Sequence, residues 1–112
     1  MIYNPIVLDK ENDLNKILKE NKKDPRDMSI LFVSQWDDLC ESLEHKMHEQ
    51  WVLEDFEPPD HAQPLYIVNS FDMPHSFVIF KTTKVPHLVQ FKGDDITSED
   101  YYPKVLEGLG LS

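Results

Sequence analysis

A single cysteine stands among 112 residues, so no disulfide can close within the chain. Three glycines are too few to build a glycine-rich loop that cradles phosphate. No apolar run approaches the ~20 residues that a bilayer-spanning helix needs. The opening Met1-Ile2-Tyr3-Asn4-Pro5 lacks the basic and long apolar regions of a secretory signal. Positive charge is scarce as well: 11 bases against 21 acids leave a net charge of −10. Such a surface repels phosphate backbones, which argues against nucleic acid as a partner. These absences together point to a cytoplasmic protein with no membrane partner and its thiol reduced.

What is present is a globular balance, 40% apolar and 29% charged. The length suits one domain over residues 1–112, with one modest core. Ile2 to Leu8 leans towards strand, with Pro5 marking an edge or an irregular entry. Asp9 is placed to cap a helix over Lys10 to Lys23, where Leu14, Ile17 and Leu18 form one apolar stripe. Six of the 11 bases fall between Lys10 and Arg26. Lys16, Lys19, Lys22 and Lys23 read as the solvated face of that helix, with an electropositive patch as the alternative. Asp24-Pro25 ends it.

The chain is organised around Ser29-Ile30-Leu31-Phe32-Val33-Ser34-Gln35-Trp36-Asp37-Asp38-Leu39-Cys40. Met28 to Val33 is nearly all apolar, with Ser29 the exception, as expected of a central strand covered on both faces. A turn through Trp36 follows, and then a helix opened by Asp38, whose pairing with Glu41 has the form of a capping box. Leu39, Cys40, Leu43, Met47 and Trp51 share the inward stripe. Glu41, Glu44, His45 and His48 face out. A thiol in the first helical turn sits where backbone N–H groups and the helix dipole favour a thiolate. On the inward stripe, however, Cys40 should be poorly exposed, and burial with Asp37 and Asp38 nearby would raise its pKa.

Glu57-Pro58-Pro59-Asp60 reads as a loop, Leu65 to Val68 as a strand and Asn69 to Asp72 as a turn. Asp72-Met73-Pro74 resembles an N-cap followed by an early-helix proline, although Phe77-Val78-Ile79-Phe80 is β-rich. Val85 to Phe91 is a strand and Lys92 to Asp95 a turn. Thr97 or Ser98 then caps a last helix carrying Val105, Leu106 and Leu109 inward, with Pro103 in its first turn or kinking it. Gly108 and Gly110 end it. The alternation of strands and helices defines a three-layered α/β class.

Three features in this order resemble the thioredoxin family. Trp36-Asp37-Asp38-Leu39-Cys40 stands where that family has Trp-Cys-Gly-Pro-Cys. Lys84-Val85-Pro86-His87-Leu88-Val89-Gln90-Phe91-Lys92-Gly93 is similar to its cis-proline strand. Asn69 to Pro74, followed twelve residues later by Pro86, has the spacing of its third strand, third helix and cis-proline. The resemblance implies a central mixed sheet of four to five strands flanked by helices. It assigns the cis-proline to Pro86. In a competing register Pro74 takes that role, and His75 to Phe80 pairs with Val85 to Phe91 as a hairpin. The segment from Gly93 to Ser98 looks too short for a full fifth strand.

Carried over position by position, Cys40 matches the resolving cysteine, and Asp37 replaces the nucleophilic one. Asp38 and Leu39 replace Gly-Pro. Leu31 occupies the site of a buried Asp, and Ile67 lies near that of its partner Lys. Asp94 stands in place of a second turn glycine. Dithiol exchange needs one thiolate to attack and a second thiol to resolve, and the attacking seat holds a carboxylate. The resemblance therefore implies a redox-degenerate domain that needs no cofactor. It would bind a protein or peptide through Trp36, Asp38, Leu39, Val85, Pro86 and His87, with Met73 beside them, as a monomer or weak homodimer. The alternative is an atypical monothiol oxidoreductase using Cys40, and a third reading is a small structural subunit that packs by its apolar patch. No metal site is expected: His45 and His48 lie on an exposed face, and His61, His75 and His87 have no ligand spacing.

Overall fold

A computed structural model describes residues 2–53, 63–93 and 95–111, and its centre is the strand that the apolar run foretells. The strands are β1 (Ile2–Leu8), β2 (Asp27–Val33), β3 (Gln63–Asn69), β4 (His87–Lys92) and β5 (Asp95–Tyr101). The helices are α1 (Glu11–Lys23), α2 (Asp38–Met47), α3 (Pro74–Ile79) and α4 (Val105–Gly108), with a π-helical turn His48–Leu53 continuing α2. The five strands form one mixed sheet in the order β1-β3-β2-β4-β5. β1 and β2 run parallel to β3, while β4 runs antiparallel to both β2 and β5.

β2 lies in the middle of the sheet, and its side chains divide between two cores. Leu31 and Val33 join Cys40, Leu43, Met47, Leu65, Leu88, Val105 and Leu109 on one face. Ile30 and Phe32 join Leu14, Val68, Met73, Val89 and Phe91 on the other. Burial on both faces is why the run is apolar without alternation. Phe32 anchors the second core through edge-on contact with Phe77, ring centroids 5.2 Å apart.

Several expectations are corrected in detail. Asp9 does not cap α1; Lys10 is the N-cap residue and no side chain bonds there. The cap of α2 is Asp37, one residue earlier than Asp38. Leu39 leaves the inward stripe and is 43% exposed. Asp72 does not cap α3: Met73 is its N-cap residue and Pro74 opens it. Its free N–H groups are instead met by Glu11, whose Oε1 accepts from His75 N–H at 3.1 Å and whose Oε2 bonds the Ser76 hydroxyl. A carboxylate is favoured at a helix N-terminus. Phe77 to Ile79 is helical and Phe80 is the C-cap residue, since packing of Phe77 against Phe32 and of Phe80 against Phe91 outweighs β propensity.

The largest correction lies after β4. Gly93, at φ +67°, turns the chain so that Asp95–Tyr101 forms a full fifth strand along β4. Thr97 and Ser98 therefore cap no helix. The last helix is one short turn from Val105, and Pro103 lies ahead of it. A polar, acidic strand suits a sheet edge, where charge discourages pairing with other chains. Pro5 sits on the opposite edge strand, at a register shift in β1. The Glu57 to Asp60 loop, His61 and Asp94 lie outside the described residues.

Candidate functional site

Parallel pairing of β2 and β3 sets their C-terminal ends side by side, Val33 against Asn69. The loops that leave these ends form the candidate site, the usual position for ligands in open α/β sheets. After β2 the chain makes a tight turn in which Asp37 N–H donates to Ser34 C=O at 3.3 Å. The third residue of that turn is Trp36, with φ +71°. Glycine or asparagine normally fills such a position, because a Cβ is strained there. Trp36 is also 85% exposed, so no core contact offsets the strain.

Asp37 then starts α2. Its Oδ1 accepts the Cys40 N–H at 2.9 Å, and its backbone C=O accepts from Glu41 N–H at 2.9 Å. This is an N-cap in form, with the carboxylate adding favourable charge at the dipole end. Asp38 is exposed in the first turn.

Cys40 points inward. It is 2% exposed and belongs to the α2 core, near Leu31 and Val33. Burial pushes its thiol up to about 12, and the hydrogen bond and charge of Asp37 and the charge of Glu44 push the same way. The Ser34 N–H, donating to Sγ at 3.4 Å, opposes them and is overcome. At pH 7 the thiol holds its proton. The helix dipole thus does not prevail here, because desolvation of the thiolate outweighs it.

The second loop is tied to the first. Ser34 and Ser70 hydroxyls lie 2.9 Å apart, and Ser70 N–H donates to Val33 C=O at 3.0 Å. Asn69 Oδ1 accepts from Phe71 N–H at 2.9 Å, and Phe71 is 72% exposed. The serine bridge and Phe71 lie outside the candidates drawn from the sequence. A signal was available: both follow directly on apolar strands that a parallel sheet places together. Met73, by contrast, is fully buried in the α1/α3 core and offers nothing to a partner.

The remaining candidates divide. The Val85–Pro86 peptide is cis, as is Tyr102–Pro103. Carried one residue past the Phe32–His87 pair, the β2–β4 register sets Pro86 level with Val33. Pro86 is buried there, while Val85 is half-buried against the core that holds Cys40. His87 is 1% exposed and does not reach the surface. It is stacked on Tyr101 with ring centroids 4.4 Å apart, with Phe32 on its other side at 5.8 Å. Its Nδ1 meets Thr82 Oγ1 at 3.1 Å. Glu99 Oε1 lies 3.3 Å from Nε2 but off the direction a hydrogen bond needs, so Nε2 is unpaired. Burial holds this imidazole below its usual pKa, with Glu99 and Asp100 opposing.

Among the described residues no group of three or more His, Cys, Asp or Glu is gathered as a metal ion would require. None of the described helices is long and apolar enough to cross a membrane.

Strand order, the single hinge cysteine and the paired loops define a thioredoxin-like fold. Solved thioredoxins superpose on nearly the whole chain. Oxidised thioredoxin O1 of Arabidopsis thaliana does so with a TM-score of 0.73 and 14% identity, covering 96% of this chain and 94% of its own. Reduced Schistosoma mansoni thioredoxin gives 0.70 and 14%, covering 96% and 97%. Fasciola hepatica thioredoxin gives 0.67 and 20%, covering 93% and 95%. Neither a known protein-family profile nor a curated protein sequence matches the chain. The chain therefore shares the thioredoxin fold, with a single cysteine, at identities too low to transfer an activity.

Proposed function

We propose that this protein is a redox-degenerate thioredoxin-like module that binds a protein or peptide at the β2–α2 and β3–α3 loops. The observation that carries the reading is Trp36: a large aromatic ring 85% exposed on a left-handed backbone at the hinge. Strained, solvent-facing residues of this kind cluster where a protein meets its ligand. Phe71 and Leu39 add exposed apolar surface on the same two connections. Tryptophan is the side chain most often responsible for binding energy in interfaces. Asp37 serves as the helix cap, and Asp38 supplies charge at the rim.

The monothiol alternative finds little support in this geometry. An attacking sulfur must be accessible and ionised, and Cys40 is buried with its thiol pushed up to about 12. The proposal extends to a single domain, acting in the cytoplasm as a monomer or weak homodimer.

The test is capture of partners by wild type against Trp36→Ala, with Cys40 alkylation and insulin reduction followed in parallel. Partner loss in Trp36→Ala, with slow alkylation at pH 7 and no insulin reduction, is the expected result. Rapid alkylation at neutral pH, or partners released only by a reductant, would overturn the binding reading in favour of mixed-disulfide chemistry.

A further inference from the structure

A second hollow lies at the other end of the sheet. β2 begins at Asp27, paired with Lys92, and ends at the Trp36 hinge, so the Gly93 turn lies roughly 20 Å from that hinge. Here the ends of α1 and α3 stand over β4 and β5 and leave a cavity of about 660 Å³. That is within the size range of small-molecule sites. Its floor is apolar: Leu18, Phe80 and Phe91, extended at the rim by the exposed Ile79 and Ile96.

Three lysines also line it, Lys19, Lys22 and Lys81. On a chain of net charge −10 such a cluster is unexpected. None of the three makes an ion pair among the described residues. The acids nearest to α1's end are directed elsewhere: Asp24 pairs with Arg26 at 2.7 Å, and Glu20 lines a separate hollow with Tyr66. Among the described residues Glu99 is the one acid in the lining, and its carboxylate lies against His87.

Lys81 carries a further mark. It follows α3 with φ +52°, in a C-terminal motif where Lys81 N–H donates to Val78 C=O and Thr82 N–H to Phe77 C=O. Glycine is the usual residue at that position. A lysine there is strained by its Cβ, and its charge is what glycine would lack.

We propose that this hollow binds a small amphipathic anion, a carboxylate on an apolar body of medium-chain acyl size. The floor would take the acyl chain, and Lys19, Lys22 and Lys81 would meet the head group at the rim. The site is independent of the Trp36 surface, so either can fail alone.

The test uses decanoate, with decanol as the uncharged counterpart, titrated calorimetrically against wild type, Lys22→Glu/Lys81→Glu and Lys81→Gly. Decanoate is expected to bind wild type, and to weaken by about tenfold or more in the charge-reversed protein and in about 0.5 M salt. Decanol should change by less than about twofold between the same proteins, a difference that hydrophobic contact alone does not produce. Lys81→Gly should bind decanoate more weakly while unfolding at a higher temperature, which separates lost affinity from lost fold. Equal decanoate affinity in wild type and charge-reversed protein would overturn the proposal. So would tighter binding of an acidic, leucine-rich peptide than of decanoate, which would assign the hollow to a polypeptide.

Discussion

The carboxylate of Asp37 accepts the backbone N–H of Cys40 at 2.9 Å, across the first turn of α2. In the arrangement that the sequence resembles, a reactive sulfur would stand at position 37. The carboxylate instead closes an orphan donor of the helix. Asp37→Ala should therefore cost about 0.5–2 kcal/mol, and Asp37→Ser only a few tenths, since serine can cap in the same way. Urea unfolding followed by circular dichroism measures both. Because the Asp37 charge also raises the Cys40 thiol, Asp37→Ala should speed Cys40 alkylation modestly at pH 9.

Trp36 at φ +71° predicts an opposition between stability and binding. Trp36→Gly removes the Cβ that the left-handed region disfavours, at the price of a freer unfolded chain. A net gain of about 0.5–1 kcal/mol is expected, seen as a melting temperature higher by about 3–6 °C. The same variant should lose the partner. Trp36→Ala should lose the partner without the gain, since alanine keeps a Cβ.

Cys40 sets an alkaline limit. Its thiol titrates near 9 in an unfolded chain and is pushed up to about 12 in the fold. Below pH 9 both states hold the proton, and stability does not depend on it. Between about 9 and 12 the unfolded state ionises and the folded state does not, so stability falls as pH rises. The steepest slope would be about 1.4 kcal/mol per pH unit. Urea midpoints from pH 8 to 10.5 should drop in wild type, and drop less in Cys40→Ala measured against its own pH 8 value.

His87 sets the acid limit. Its folded pKa is lowered by burial, so above about 6.5 both states are neutral and its contribution is fully present. Below that value the unfolded chain takes up a proton that the folded one resists, and stability is lost as pH falls. Tyr101 on β5 stacks on the ring, and the charges of Glu99 and Asp100 on the same strand moderate the loss. His87→Phe should lessen the decline in urea midpoint between pH 7.5 and 5.5. A slope unchanged by the substitution would show that the acids of β5 govern it instead.

Legibility followed the range of the forces. The run from Met28 to Val33 announced a strand buried on two faces, and the stripe of Leu14, Ile17 and Leu18 announced α1. Both signals are local and periodic. The hinge at Trp36 was legible for the same reason, since a strand pattern stops there and a helical one begins. Thr97-Ser98-Glu99-Asp100 misled because it is a sound helix start taken alone. What it meets in space is the open edge of β4, and backbone pairing along that edge prevailed. Asn21 was invisible as well: its side chain accepts from Arg26 N–H and donates to Gly93 C=O, tying the end of α1 to a turn 72 residues away.

The amino-acid order alone determined the α/β alternation, the central strand and a carboxylate capping the helix that carries the cysteine, because apolar spacing and capping act over a few residues. The tertiary structure decided that Leu39 turns out to solvent while His87 is enclosed between Phe32 and Tyr101, that Glu11 rather than Asp72 serves the start of α3, and that three lysines line one hollow. Each of these depends on which groups from remote parts of the chain share the same volume. Desolvation and charge act through space, and no spacing along the chain encodes them.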